Sequence, residues 1–161
     1  MQRIAVLLAD DHPVVREGLR SFLETQDDIE VVGEAENGRQ AVQLTRKLRP
    51  SVVVMDISMP LLNGLEATQE ILKLVPATKV LIHSMHGDGG FIEQAVKVGA
   101  AGYVLKGAGL QVLAGAIRNS QNGDTFFSSL SVPPRSAKSE PACPVLLPLS
   151  SRRSSPPPSA A

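Results

Sequence analysis

Side chains that could do chemistry follow directly after short apolar stretches at four points of the chain. They are three carboxylates, a hydroxyl and an ammonium, at Asp10, Asp11, Asp56, Ser84 and Lys106. Each of them alone is most simply a turn former, a helix cap or a solvated side chain. Brought together, the carboxylates would repel one another, and at least one pKa would rise unless a cation joined them. A hard divalent cation, Mg²⁺ or Mn²⁺, resolves this conflict because it takes carboxylate, carbonyl and water oxygens as ligands.

The same five residues contain the parts needed to move a phosphoryl group. A carboxylate can act as a nucleophile and form an aspartyl-phosphate. A metal ion and an ammonium neutralise charge on the group in transfer, while a hydroxyl donates to one of its oxygens. Lysine suits this task because its charge is compact and mobile. The residue types therefore predict phosphoryl transfer onto one of the protein's own aspartates, provided that the fold brings them together.

Apolar runs alternate with amphipathic segments along the first four fifths of the chain. The runs span residues 3–9, 29–35, 51–55, 79–84 and 102–106. Apolar residues recur at helical spacing between them, Pro13 suits a first helical turn, and Gly99 suits a helix end. This alternation predicts an α/β fold with a parallel sheet covered by helices on both faces. Sites in such sheets lie beyond the carboxyl ends of the strands, where all five candidate side chains fall.

The composition changes near residue 127. All 13 glycines precede residue 124, whereas eight of the 12 prolines lie between residues 133 and 158. Residues 1–127 carry 12 basic and 15 acidic side chains, and residues 128–161 carry four and one. The second segment has no apolar period, and a Pro/Ser-rich stretch buries too little surface to offset its ordering entropy. We therefore expect a folded domain over residues 1–127 and a disordered tail over residues 128–161.

Composition and charge exclude several classes of protein. The 161 residues contain 16 basic and 16 acidic side chains, a balance that favours neither nucleic-acid nor membrane binding. Cys143 is the single cysteine, which excludes an internal disulfide and fits a reducing compartment. The early apolar run IAVLLA is too short for a signal peptide or a membrane span. We expect a cytoplasmic protein with no membrane partner.

Four stretches of the sequence resemble the receiver domain of two-component response regulators. These stretches are VLLADDHPVVREGL, VVVMDISMPLLNGLEAT, LIHSMH and VGAAGYVLK. They are most similar to the NarL/FixJ branch, whose full-length members add a C-terminal helix-turn-helix that binds DNA. The resemblance covers roughly residues 3–127 and implies a flavodoxin-like sheet of five parallel strands in the order 2-1-3-4-5. The tail resembles neither a linker nor a DNA-binding domain.

The resemblance also implies a role for each candidate residue. Asp56 would be the phosphoacceptor that attacks the phosphohistidine of a sensor histidine kinase. Asp11 would bind Mg²⁺ directly and Asp10 through water, with Asp56 and the backbone carbonyl of Ser58 as further ligands. The remaining matches are Ser84 and Lys106 at the phosphoryl group, Tyr103 as the switch aromatic together with Ser84, and Pro60 and Gly64 in the loop behind the acceptor.

Two other functions stay open at this point. A small Mg²⁺-dependent phosphatase also uses an aspartate nucleophile, but here the acceptor ends the third strand and no D-x-D motif ends the first. A receiver-like interaction module that acts without phosphate would not need the complete residue set. We expect no enzymatic turnover beyond hydrolysis of the protein's own aspartyl-phosphate. A homodimer through the receiver is compatible with the resemblance.

Direct DNA recognition and zinc binding are not expected. A tail with eight prolines offers no helix that could reach base edges, so this chain should not bind DNA sequence-specifically. The three histidines are scattered, with His12 expected in a loop or at a helix start and His83 expected to face the surroundings of the sheet. Three histidines so placed do not form a zinc site.

Overall fold

Strands and helices alternate along residues 3–127, the part of the chain that the computed structural model describes. The strands are β1 (Ile4–Ala9), β2 (Ile29–Ala35), β3 (Val52–Met55), β4 (Lys79–Ser84), β5 (Gly102–Leu105) and β6 (Phe126–Phe127). The helices are α1 (Pro13–Glu24), α2 (Gly38–Leu48), α3 (Gly64–Leu74), α4 (Gly89–Val98) and α5 (Leu110–Gln121), with a 3₁₀ turn at Lys106–Ala108. The predictions for the tail concern residues 128–161, outside the described residues.

All neighbouring strands pair in parallel, in the order β2-β1-β3-β4-β5-β6. The predicted flavodoxin-like order 2-1-3-4-5 is confirmed. The sixth strand was not predicted, because two residues are too few to show an apolar run or an alternation. It extends the sheet beyond β5, where Phe126 and Phe127 pair with Gly102 and Tyr103.

The sheet separates two apolar cores, so its central strands are buried on both faces. Leu7, Val53 and Ile82 belong to the core beneath α2, α3 and α4. Leu8 and Val54 belong to the core beneath α1 and α5. A strand covered on both faces reads as an uninterrupted apolar run, which is why VVVM in β3 shows no alternation.

Local signals set the ends of the helices. Pro13 opens α1, and Gly99 ends α4 with a φ of 95°, a left-handed conformation that favours glycine. The predicted strand ends differ by single residues: β1 begins at Ile4, β3 begins at Val52, and Lys106 lies in the turn after β5. Across residues 3–127, the helices are all too short or too polar to traverse a lipid bilayer.

Candidate functional site

The strand register places Asp10, Asp56 and His83 side by side at the carboxyl edge of the sheet. Each follows one member of a paired row, because Ala9 pairs with Met55 and Met55 pairs with Ile82. Side chains two positions apart on a strand share a face. Leu8, Val54, Leu81 and Val104 lie in the core beneath α1 and α5, so Asp10, Asp56, His83 and Lys106 continue that face.

The Lys106 ammonium joins two of the predicted carboxylates. Its Nζ lies 2.9 Å from Oδ2 of Asp10 and 3.5 Å from Oδ2 of Asp56. Both carboxylates are buried, and the lysine side chain is 14% exposed. The fold therefore brings together residues that are distant in sequence and places one positive charge between two negative ones.

Asp11 completes an acidic cluster whose donor set fits a hard cation. Asp10, Asp11, His12 and Asp56 each offer one ligand atom, and these atoms lie within 4.8 Å of one another. Oδ1 of Asp11 is buried and makes no hydrogen bond among the described residues, although Nδ1 of His12 lies 3.0 Å away. A buried carboxylate oxygen without a hydrogen-bond donor is costly, and a divalent cation would satisfy it.

The two oxygens of Asp10 are already engaged by the protein. Oδ1 accepts from the backbone N–H of His12 at 2.9 Å, and Oδ2 accepts from Lys106. The direct role of Asp11 and the water-mediated role of Asp10 at a metal ion stay predictions. Ser58 is exposed in the loop that follows Asp56. The role of its carbonyl as a ligand stays a prediction.

Electrostatics push the two buried carboxyl groups in opposite directions. Burial raises the pKa of Asp56, and the charges of Asp10 and Asp11 add to this rise against the opposing effect of Lys106. Burial acts in the same direction on Asp10, but hydrogen bonds from Lys106 and His12 outweigh it and lower the pKa of Asp10. A cation at the cluster would therefore favour the ionised, nucleophilic form of Asp56.

Ser84 and Tyr103 form a second group that meets at His86. The buried Ser84 Oγ accepts from the backbone N–H of His86 at 3.0 Å. The Tyr103 hydroxyl donates to the carbonyl of His86 at 2.5 Å, and the ring is buried in the core beneath α4. Among the described residues, the hydrogen bonds of Ser84 and Tyr103 thus converge on the loop after β4.

The loop behind Asp56 depends on a glycine. A Cβ on Gly64 would lie 2.1 Å from the carbonyl oxygen of Asp56, so only glycine allows α3 to begin there. Asn63 caps α3 by accepting from the N–H groups of Leu65 and Glu66, and Glu66 accepts from the N–H of Asn63 in return. Pro60 lies exposed on the outer side of this loop. The loop thereby fixes the backbone around Asp56.

Several residues lie at this site that were not predicted to belong to it. His12 starts α1 as predicted, but its ring also lies 3.2 Å from Asp10. His83 is 4% exposed, and burial, with Lys106 adding to it, lowers its pKa to about 4. Arg16 and Glu34 are hydrogen-bonded to each other beside Asp10. The position of His83, two residues after the core residue Leu81, was the one available signal.

The part of the chain that contains these strands and helices is similar to known proteins. The family model for the response regulator receiver domain matches residues 6–118. The transcriptional regulatory protein MctR of Rhizobium johnstonii is 41% identical over 127 residues, which are 79% of this chain and 59% of that protein. The transcriptional regulatory protein DegU of Brevibacillus brevis is 37% identical over 125 residues, which are 78% of this chain and 53% of that protein. The chain thus spans between half and three fifths of the length of these relatives.

Solved structures agree with the sequence matches. A LuxR-family two-component response regulator from Aurantimonas sp. SI85-9A1 superposes with a TM-score of 0.76 at 37% identity, covering 79% of this chain and 91% of that one. The receiver domain of the putative response regulator NarL from Mycobacterium tuberculosis superposes with a TM-score of 0.74 at 31% identity, covering 76% of this chain and 99% of that one.

Proposed function

Because the chain belongs to the response regulator receiver domain family, we propose that Asp56 accepts a phosphoryl group from the phosphohistidine of a sensor histidine kinase. The observation that carries this proposal is the Lys106 ammonium, 2.9 Å from Asp10 and 3.5 Å from Asp56. It places a mobile positive charge beside a buried carboxylate at the edge of the sheet where sites form.

The transfer proceeds by attack of an Asp56 carboxylate oxygen on phosphorus. The new O–P bond forms as the P–N bond to the donor imidazole breaks, and the bonding pair leaves with the imidazole nitrogen. Lys106 neutralises charge on the transferring group. Asp10, Asp11, Asp56 and the carbonyl of Ser58 are the residues that would hold Mg²⁺ or Mn²⁺, and a bound ion supplies further positive charge there.

The second group of residues reports the transfer. Ser84 would donate its hydroxyl to a phosphoryl oxygen, and a movement of Ser84 toward the phosphoryl group would shift the His86 N–H that donates to it. Tyr103 donates to the carbonyl of the same residue, so a shift of His86 reaches the tyrosine directly. Two arrangements of this loop would form the two-state element that phosphorylation biases.

Signalling rather than catalysis is the proposed purpose of the transfer. We expect one phosphoryl group per chain, followed by slow hydrolysis. The relatives MctR and DegU are named transcriptional regulatory proteins, and we assign this chain to the same cytoplasmic, transcription-regulating lineage. Its output would run through partners or a second receiver, because we expect no sequence-specific DNA binding from residues 1–161.

Labelling with a small phosphodonor tests the assignment of Asp56. With Mg²⁺ and acetyl phosphate, the parent should take up about one phosphoryl group per chain. Asp56→Asn keeps the shape but removes the nucleophile, so labelling should vanish, whereas Asp27→Asn changes an exposed aspartate and should label fully. Full labelling of Asp56→Asn would contradict the assignment. Repeated donor turnover would indicate the phosphatase, and an unlabelled parent would indicate the phosphate-independent module.

A further inference from the structure

We infer that Arg16, held by Glu34, is a positioning residue that fixes the Asp10–Asp11 peptide in the shape that the cation site requires. The inference rests on the proposed function, since it concerns the same acidic cluster. Arg16 and Glu34 themselves would neither bind the cation nor touch the phosphoryl group. Their contribution would be to the geometry of the ligands.

Arg16 bridges the acidic loop and β2 with two hydrogen bonds. Its Nη1 donates to the carbonyl oxygen of Asp10 at 2.6 Å, and its Nε donates to Oε1 of Glu34 at 2.9 Å. The arginine side chain is only 15% exposed. A charged side chain this well covered, with both bonds directed at fixed acceptors, is held in one orientation.

Two hydrogen bonds hold the backbone of Asp10, one at its N–H and one at its carbonyl. Its N–H donates to the carbonyl of Ala35 at 3.0 Å, and its carbonyl accepts from Arg16. Ala35 follows Glu34 in β2, so a single strand end fixes the peptide group on both sides of Asp10. The orientation of the next residue, Asp11, is thereby set through the backbone.

The position of the Asp11 side chain depends on these backbone hydrogen bonds more than the position of the Asp10 side chain does. The Asp10 side chain has its own bonds to Lys106 and to the His12 N–H. The buried Oδ1 of Asp11 has no hydrogen bond among residues 3–127. The proposed direct ligand of the cation thus has one side-chain neighbour, the exposed His12 ring at 3.0 Å, and otherwise takes its place from the main chain.

Glu34 is itself anchored by a second arginine. Arg20, one turn further along α1, donates from Nη1 to Oε2 of Glu34 and pairs with Glu24 at 3.1 Å. The hydrogen bond from Arg20, with that from Arg16, lowers the pKa of Glu34 despite partial burial. Glu34 is thus ionised near neutral pH and accepts from two guanidinium groups, which fixes Arg16 in turn.

The positive charge of Arg16 and the shape of its side chain would affect cation binding in opposite directions. A positive charge next to a cation site repels the cation, so electrostatics alone would favour an uncharged residue at position 16. What arginine offers is a rigid fork that reaches two acceptors at once. Arg16→Lys keeps the charge but replaces the planar fork by a single ammonium, which cannot reproduce the separate donor positions of Nη1 and Nε, and it therefore isolates the geometric contribution.

The chain provides a matched control at the opposite edge of the sheet. Arg118 bridges Asp28 and Gln26 with the same kind of fork, at 2.7 Å, 3.0 Å and 2.9 Å. It lies in α5, away from the acidic cluster. Arg118→Lys therefore breaks a comparable arginine bridge without touching the acidic loop.

Mg²⁺ titration of the full chain, followed by NMR, tests the inference. Arg16→Lys should weaken Mg²⁺ binding by about tenfold, in the range known for residues that orient metal ligands, and saturating Mg²⁺ should restore most of the labelling rate. Glu34→Gln should weaken binding in the same direction. Arg118→Lys should bind Mg²⁺ within about twofold of the parent, a difference too small for a lost orienting contact. Parent-like affinity in Arg16→Lys would overturn the inference.

Amide exchange without metal decides the inference independently of the proposed function. The Asp10 N–H, bonded to the carbonyl of Ala35, should exchange faster in Arg16→Lys than in the parent or in Arg118→Lys. Unchanged exchange in Arg16→Lys would overturn the positioning role, even in a parent that fails to bind Mg²⁺. Failure of the parent to bind Mg²⁺ or to label at Asp56 would instead overturn the proposed function.

Discussion

At the amino edge of the sheet, Arg118 meets Asp28 and Gln26 just before β2 begins, and Thr78 donates to the carbonyl of Pro50 at 2.8 Å. Arg118 and Asp28 are paired and partly exposed, and the one buried polar side-chain atom near them without a hydrogen bond among the described residues is the neutral Oγ of Ser120 in α5. At the carboxyl edge, Asp10, Asp56 and His83 are buried, and Oδ1 of Asp11 and Nδ1 of His83 have no hydrogen bond among the described residues. The amino edge resembles an ordinary stabilising surface, whereas the carboxyl edge keeps unmatched polar groups where a ligand would match them.

Removal of the Lys106 ammonium from the carboxyl edge should have the largest effect on stability. Lys106→Met leaves the buried carboxylates Asp10 and Asp56 without their shared counter-charge. We expect the free energy of unfolding at pH 7 without metal to fall by roughly 3 kcal/mol, as when one partner of a buried ion pair is lost. Urea unfolding measures this change. Lys97→Met alters an exposed lysine and should change stability by less than about 0.5 kcal/mol. Equal effects of the two substitutions would contradict the proposed difference between the edges.

The buried His83 should make stability depend on pH. Burial lowers the pKa of His83 from 6.5 to about 4 in the folded chain. Between these values the unfolded chain binds a proton that the folded chain does not, so stability decreases as the pH falls. Between pH 7 and pH 4 the parent should lose about 3 kcal/mol more than His83→Leu. Unfolding curves at the two pH values measure the difference, and identical losses would rule out a buried neutral histidine.

The smallest effect is expected at the amino edge. Arg118→Ala removes the bridge to Asp28 and Gln26, whose ion pair is about one third exposed and therefore screened by solvent. We expect a loss of about 1 kcal/mol or less in the free energy of unfolding and no change in labelling of Asp56. Thermal unfolding and acetyl phosphate labelling on the same sample separate the two readouts. Loss of labelling in this variant would mean that the two edges are coupled.

The sequence was sufficient for the strands and for the residues at their carboxyl ends. Apolar runs between proline and glycine positions located the five main strands to within one residue. Parallel strands that are buried on both faces consist of such continuous apolar runs. Since every strand of a parallel sheet ends at the same edge, the positions of Asp10, Asp56 and Lys106 followed from the alternation. The family resemblance added the strand order and the nomination of Tyr103.

The contacts between distant residues could not be predicted. That His83 lies beside Asp56 depends on the register of β3 against β4, which no local pattern encodes. Arg16 and Glu34 are 18 residues apart and appear separately as exposed helix and strand residues. The sequence also does not reveal that Ser84 and Tyr103 both hydrogen-bond to the backbone of His86. Local pattern thus identifies the chemical groups, and the tertiary contacts determine how each is held.

Chemical mapping of the phosphoryl group distinguishes Asp56 from every other candidate acceptor. An aspartyl-phosphate is reduced by borohydride to homoserine, whereas free aspartates and phosphorylated serine, threonine or histidine are not. The full chain would be incubated with Mg²⁺ and acetyl phosphate, reduced, digested and analysed by mass spectrometry. We expect homoserine at position 56 and at no other aspartate. Homoserine at Asp10 or Asp11, or label on Ser84 with unmodified Asp56, would contradict this expectation.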